Sequence, residues 1–504
     1  METKRVHLNI PVAGFRSVLS WDKATIDSLV NKAIDLAVRV GMRLEQDANG
    51  KYLTEAQSKG AKADWDAHAV MFTRAQIEET VVVMRKTWPA PDPLRPTRTA
   101  PRGRDEKFFV GNGANLMFDW DAWTVKAPTA QDVVWLCHWA QGCPDVKDFF
   151  PPVMLKDVDQ RLAPLYNYAL MAKHCRKNVW HEQPTEPIHV RYLDKMARLY
   201  QQHRGFFHPV QEWEYINPPF RFGRRSLEAL LERIDTGICK EIGIGPMSVG
   251  GMSTPVTVAG MAVTALAEIL CALTLCRILR PGTGLKTVIC TGSLDLRTAR
   301  VSYYNLHTHL GNLATWELVV RGVGANCTSL TWYRDANEPG LQATYEFGMA
   351  QAFFNSIMDY FGEIGGLCNG NIFSPHQAVI DIAMAKEFNE LAAGFEVDPE
   401  SLGLEEVAAA RFDQGRLMGA EHTLEHMMDG VPFSDFLFRG LPAGAQHDKN
   451  RTQTQELMEK AKTTVDDQVA QGRQTPPDEK LGGELFELVE AAASELGIEA
   501  PPLV

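Results

Sequence analysis

Three polar clusters follow short apolar runs, and each carries side chains able to bind or transform a small charged molecule. One run opens into Trp332-Tyr333-Arg334-Asp335, with Tyr345 and Glu346 on the helix expected next. Trp332, Tyr333 and Tyr345 could offer ring faces to a quaternary ammonium ion, although core packing is the competing explanation for any one aromatic. Asp335 and Glu346 are candidate catalytic carboxylates. A third is Asp295, in Ser293-Leu294-Asp295-Leu296-Arg297-Thr298, which with Arg297 or Arg300 reads equally as a structural ion pair. The remaining cluster, Gly245-Pro246-Met247 to Thr254-Pro255, is glycine-rich and precedes a helix, so its amides could hold an anion. It lacks the P-loop lysine, and a tight turn would explain its glycines as well.

Histidines raise a metal reading. His307-Thr308-His309 has the HxH form, and His422 and His426 share one helix face beside Glu425. No third ligand is evident, so no metal is expected, and a metal-dependent barrel hydrolase using His422, Glu425 and His426 stays an alternative. Asp66-Ala67-His68 begins like the Asp-x-His-x-x-Gly corrinoid signature, but Met71 stands where glycine is needed. A corrinoid would then have to come on another protein.

The elements that must position these groups alternate. Apolar runs at 107–110, 149–155, 178–180, 210–216, 242–244, 287–290, 327–333 and 366–373 precede helical periodicities near 130–141, 157–174, 190–203, 226–234, 256–279, 304–320, 341–360 and 377–391. Eight βα units predict an α/β fold, a (β/α)8 TIM-type barrel whose active site lies just after the strands. A doubly wound open sheet is the rival, with no Gly-x-Gly-x-x-Gly to favour it. Ahead of the barrel, 1–105 reads as a helical segment (Lys23 to Met42, Gln76 to Lys86) ending in a Pro/Arg-rich linker. Residues 106–440 form the barrel, and 441–504 a helical extension.

The chain has 504 residues, 45% of them apolar, and a formal net charge of -12, which disfavours a nucleic-acid partner. Nine cysteines without a CxxC pair, several in apolar runs, read as reduced thiols of a cytoplasmic protein. No apolar region follows Met1 to Arg5 as a signal peptide would require. The apolar stretch Val256 to Leu279 carries Glu268 and Arg277, so a buried helix is expected rather than a membrane span.

These residues together resemble the trimethylamine methyltransferase superfamily from about residue 24 to about 440. The blocks are Gly245-Pro246-Met247 through Gly260, Asp295-Leu296-Arg297-Thr298, Asp335 to Glu346, Ser374-Pro375 with Asp381, and His422-Thr423. The resemblance implies an α/β barrel that moves a methyl group from an amine to the Co(I) corrinoid of a separate corrinoid protein, with no tightly bound cofactor of its own. Founding members carry pyrrolysine near the end of the seventh strand. This chain has ordinary residues from Thr328 to Arg334, like the non-pyrrolysine branch, which demethylates quaternary amines such as glycine betaine. A betaine carboxylate would suit Arg297, Arg334 or His422. Asn337 and Gly340 replace a frequent Lys and Asp, and Arg334 and His307 look unusual, which allows a different methylated donor. A homo-oligomer is expected, and a non-catalytic binder of the corrinoid protein is the remaining alternative.

Overall fold

The most apolar stretch of the chain forms the helix Val258–Leu279, whose residues are buried around nearly its whole circumference. By length and composition it could cross a bilayer, but 78% of its most apolar window is covered by protein, as expected for a core helix. It packs against the helices Lys23–Val40, Arg74–Thr87 and Leu306–Glu317. Its few polar groups all find partners. Thr274 Oγ1 donates to Thr80 Oγ1 at 2.9 Å, and the Arg277 guanidinium reaches Thr80 Oγ1 and the Gln76 carbonyl. Burial of hydrogen-bonded polar groups is tolerated, and here it fixes which face of Arg74–Thr87 meets the core.

The computed structural model describes residues 4–6, 19, 21–45, 47, 49–90, 107–329, 333–358, 363–413, 415–430, 436–437 and 452–504. Parallel strands follow one another in chain order in two runs. Phe108–Val110 pairs with Val146–Phe149, which pairs with Asn178–Val179. Trp213–Ile216 pairs with Glu241–Gly250, then Gly284–Asp295, then Thr328–Ser329. Helices connect successive strands, as parallel pairing requires. A third parallel contact joins Ile372–Phe373 to Leu116–Asp119.

Among the described residues the sheets do not close into the expected ring, and the protein is a mixed α/β structure of separate sheets. Between Asn178–Val179 and Trp213–Ile216 the backbone ladder is missing. Pro184 and Pro209 lack the N–H groups a ladder needs. Side chains span the gap instead: Gln183 Nε2 donates to the Trp213 carbonyl at 2.9 Å, and His208 stacks on His181. The second strand also lies earlier than its apolar run, at Val146–Phe149, because Pro151 and Pro152 interrupt 149–155.

Short strands add to the helical N-terminal segment. Met42–Glu45, Lys62–Asp64 and Ala69–Met71 form a small antiparallel sheet that Arg221–Gly223 joins in parallel. At the other end, Gln453–Gly472 crosses Ala130–Gly142 so closely that a β-carbon on Gly472 would strike the His138 carbonyl. One apolar core lies under these C-terminal helices and the first parallel run. A second surrounds Val258–Leu279. None of the nine cysteines is in a disulfide, and all but Cys368 are buried.

Candidate active site at the strand ends

The long strands Glu241–Gly250 and Gly284–Asp295 end side by side, with Gly250 opposite Ser293. The second strand then folds back as a hairpin onto Arg300–Ser302. This brings Tyr303 over Gly292, where a β-carbon would come within 2.8 Å of Tyr303 Cε1, so only glycine leaves the ring its place. Asn369 stitches the neighbouring loops together. Its Oδ1 accepts from the Tyr303 N–H, its Nδ2 donates to the Val301 carbonyl, and its own N–H donates to the Arg334 carbonyl at 2.7 Å. Cys368, Asn369 and Gly370 adopt positive φ in succession (49°, 55° and 77°), a strained turn held by these bonds.

That turn delivers Gly370 against two side chains from different loops. A β-carbon there would lie 2.8 Å from Tyr333 Cε1 and 2.9 Å from Glu363 Oε1, so ring and carboxylate border one point. The Tyr303 and Tyr333 rings stand 5.7 Å apart, inclined at 59°. Tyr303, Tyr333 and Glu363 each keep some accessible surface. Burial still dominates their electrostatics. It raises both phenols well above the ordinary tyrosine range, so both stay neutral, and it pushes the Glu363 carboxyl up to about 8 against the opposing pull of Arg334 and Asn112. Desolvated groups from different loops that each keep some surface mark a candidate binding position.

Arg334 is buried, and, while among the described residues its Nε has no hydrogen-bond partner, both terminal nitrogens of its guanidinium are engaged. It makes a two-pronged pair with Asp381 at 3.0 and 2.6 Å, donates to the Ala343 and Glu363 carbonyls, and lies over the Phe347 ring. Asp381 also accepts from the Gly365 N–H and from Gln377. The pair thus locks the segments beginning at Arg334 and Gly365 onto the helix Pro375–Ala393.

Asp335 accepts from Ser302 Oγ at 2.5 Å, and desolvation raises its pKa. Glu346 braces its own loop, accepting from the Ala336 N–H and from Gln342 Nε2. Asp295 pairs with Arg297 on the exposed rim, and that partner's hydrogen bond lowers its pKa. Tyr345 is 61% exposed on the helix Leu341–Met358. His307 lies over Gly250 and meets Ser293 Oγ through Nδ1 at 2.7 Å. Trp332 lies outside the described residues. His422 belongs to a different neighbourhood, bonded to the Glu400 carbonyl and stacked on His426. Among the described residues no three His, Cys, Asp or Glu side chains gather as a metal site.

Of the groups expected from sequence, Tyr333, Arg334, Asp335 and Glu346 share the junction around the 366–370 turn, whereas His422 does not join them. The sequence reading did not single out Tyr303, Glu363 or Asn112. The available signal was slight: an aromatic pair, Tyr303-Tyr304, and a glutamate before Gly365-Gly366.

Solved structures offer a resemblance in outline only. The monomethylamine methyltransferase of Methanosarcina barkeri aligns over 89% of this chain and 88% of its own, with a TM-score of 0.43 and 9% identity, and its hydroxylamine complex gives the same values. A maturase of the [FeFe]-hydrogenase, HydG, aligns over 96% of each chain with a TM-score of 0.26 and 9% identity. No curated protein matches the chain. The sequence model of the trimethylamine methyltransferase family matches residues 12–490. With nearly the whole chain accounted for in this way, the protein belongs to the trimethylamine methyltransferase (MTTB) family.

Proposed function

We propose that this protein transfers a methyl group from a small quaternary amine to the Co(I) corrinoid of a separate protein, as a non-pyrrolysine member of its family. In this reading the parallel strands are the parts of a (β/α)8 barrel with an incompletely hydrogen-bonded wall, and the site lies at its mouth. The observation that carries the proposal is the meeting of the Tyr303 and Tyr333 rings, both neutral and desolvated yet each keeping some surface, with an ordinary tyrosine at position 333.

The chemistry asks little of the protein beyond position and desolvation. A quaternary nitrogen leaves as a neutral tertiary amine, so no proton has to be placed on the leaving group. The partner's corrinoid supplies the nucleophile. The chain's own work is to hold the cation against ring faces, keep water away and orient one N-methyl group outward. The Arg334–Asp381 pair supports that work by fixing the backbone that follows Tyr333.

Two features favour an acceptor carried by another protein. Asp66-Ala67-His68 lies on the exposed turn of a small hairpin, with the Ala67 N–H bonded to Asp64 and Met71 where the corrinoid signature has glycine, which supports that reading. Exposed apolar residues also follow the parallel strands: Met252 and Val256 after Glu241–Gly250, Leu296 and Leu306 after Gly284–Asp295, and Leu341 with Tyr345 after Thr328–Ser329. Such a rim suits contact with a protein surface.

The test mixes the enzyme with Co(I) cobalamin and, in turn, tetramethylammonium, glycine betaine and trimethylamine, following the cobalt absorption spectrum. Conversion to methyl-Co(III) with a quaternary amine, and not with trimethylamine, is expected. Conversion with trimethylamine alone, or with none of the three, overturns the proposal.

A further inference from the structure

The Glu363 carboxylate is buried without a counter-ion. Among the described residues no Lys, Arg or His side chain forms an ion pair with it, and the nearby Arg334 guanidinium, which touches only the Glu363 carbonyl, is committed to Asp381. Its side-chain hydrogen bond is a long one, 3.4 Å from Asn112 Nδ2, an amide that also donates to the Gly370 carbonyl. Two glycines pack against it where no larger residue would fit. Side chains on Gly366 or Gly370 would collide with its oxygens, and one on Gly370 would meet the Tyr333 ring as well. A desolvated carboxylate beside neutral ring faces, still partly accessible, is a receptor for a positive charge that the protein itself does not provide.

We propose that Glu363 is the counter-charge for the substrate's ammonium group, so that the site prefers quaternary amines of net positive charge to zwitterions with a carboxylate close to the nitrogen. The inference rests on the quaternary-amine reading and narrows it. An α-carboxylate, as in glycine betaine, would be brought toward Glu363 with nothing to neutralise it, because Arg334 is engaged. An alkyl or hydroxyalkyl ammonium carries no such penalty.

The arrangement ties binding to proton release. Without ligand, burial keeps Glu363 protonated up to a pH of about 8. A fixed cation cannot give up a proton, so its arrival drives the Glu363 proton into solvent. Affinity should therefore climb with pH toward about 8 and level off above it. The other titratable groups facing this space do not add to the profile. Tyr303, Tyr333 and Cys290 are all raised by burial and stay neutral over this range, and Arg334 is paired with Asp381. Glu363 also has a kinetic signature. The substrate charge vanishes during transfer, so a counter-ion stabilises the bound reactant more than the transition state. Removing it should raise KM and leave kcat unchanged or higher.

The experiment is calorimetric titration of the full chain with tetramethylammonium and with glycine betaine between pH 6.5 and 9, for wild type and Glu363→Gln. Wild type should prefer tetramethylammonium, and at pH 7 should release close to one proton per ligand, read from buffers of different ionisation enthalpy. Glu363→Gln should lose about tenfold or more in affinity for tetramethylammonium, along with the pH dependence, while glycine betaine binds as well or better. Tetramethylammonium binding to wild type without proton release, or unchanged binding and pH profile in the variant, overturns the role of Glu363 and leaves the quaternary-amine reading standing. Failure of both ligands to bind wild type at any pH overturns both. Proton release is measured on wild type, so it decides the matter even if the variant folds poorly.

Discussion

Glu268 and Glu363 are both carboxylates among apolar neighbours, and burial lifts both, to about 7 and about 8. Their surroundings differ in the one respect that separates structure from function. Glu268, in the middle of Val258–Leu279, has both oxygens occupied: Ser248 Oγ donates at 2.6 Å and the Phe220 N–H at 3.0 Å. It ties a core helix to the strand Glu241–Gly250 and to the turn before Arg221–Gly223. Glu363 has one long bond and an accessible face. Burial of a charge is therefore ambiguous by itself. A carboxylate whose oxygens are both satisfied is a clamp, and one left half-satisfied at a strand-end junction is a candidate site.

The comparison breaks most readily at the buried pair that stands between these cases. Arg334→Met leaves buried Asp381 without its ion-pair partner, and should cost about 3–5 kcal/mol of stability, read as a lowered urea midpoint. A loss under about 1 kcal/mol would mean that the guanidinium is not locked and is open to substrate. Next in size is Glu268→Ala, which strands the Phe220 N–H and the Ser248 hydroxyl and should cost about 2–4 kcal/mol. Glu363→Ala should be neutral or stabilising by the same measurement, since it deletes a desolvated carboxyl with one long hydrogen bond to lose. Equal losses at the two glutamates would erase the distinction.

The pH dependence of folding sharpens it further. Both carboxyls have folded-state pKa values above the ordinary glutamate value of 4.5, so the native state holds protons that the unfolded chain releases. Stability is highest below 4.5 and falls as pH rises, until about 7 for Glu268 and about 8 for Glu363. Glu182, also desolvated and lifted to about 7, adds to the lower part of that decline. Melting curves should therefore show wild type losing ground to Glu363→Gln between pH 5 and 8, by a few kcal/mol at the plateau. Saturating tetramethylammonium should close the gap by favouring the ionised form of wild type.

Much of this architecture was legible in the chain, for identifiable reasons. The alternation of apolar run and helical period exposed the parallel pairings and the helix Val258–Leu279, because both depend on local pattern. The second strand was misplaced because Val153 to Leu155 is apolar, whereas Pro151 and Pro152 take away the donors that pairing needs. The N-terminal sheet escaped notice because Lys62–Asp64 and Ala69–Met71 are too short to show a period. At the site, Tyr333 was legible from its position after an apolar run. Glu363 was not, since its meaning lies in a partner it lacks. That absence is set by Asp381, which holds Arg334 from another element far along the chain.

The smallest expected effects lie along the route a ligand would take. At Tyr333, Tyr333→Phe should leave KM for a quaternary amine nearly unchanged, because the ring face persists. Tyr333→Leu should raise it roughly five- to thirtyfold, for a desolvated cation–ring contact of about 1–2 kcal/mol. At the rim, Arg297→Ala removes an ion pair whose arginine is almost fully exposed, so melting temperature should not move measurably. If Glu363 supplies the charge that selects the substrate, Arg297→Ala should also leave the preference for tetramethylammonium over glycine betaine where it was. A variant that instead loses glycine betaine turnover alone would place the carboxylate of a zwitterion at the rim. The selectivity of the site would then be set by Arg297 and not by Glu363.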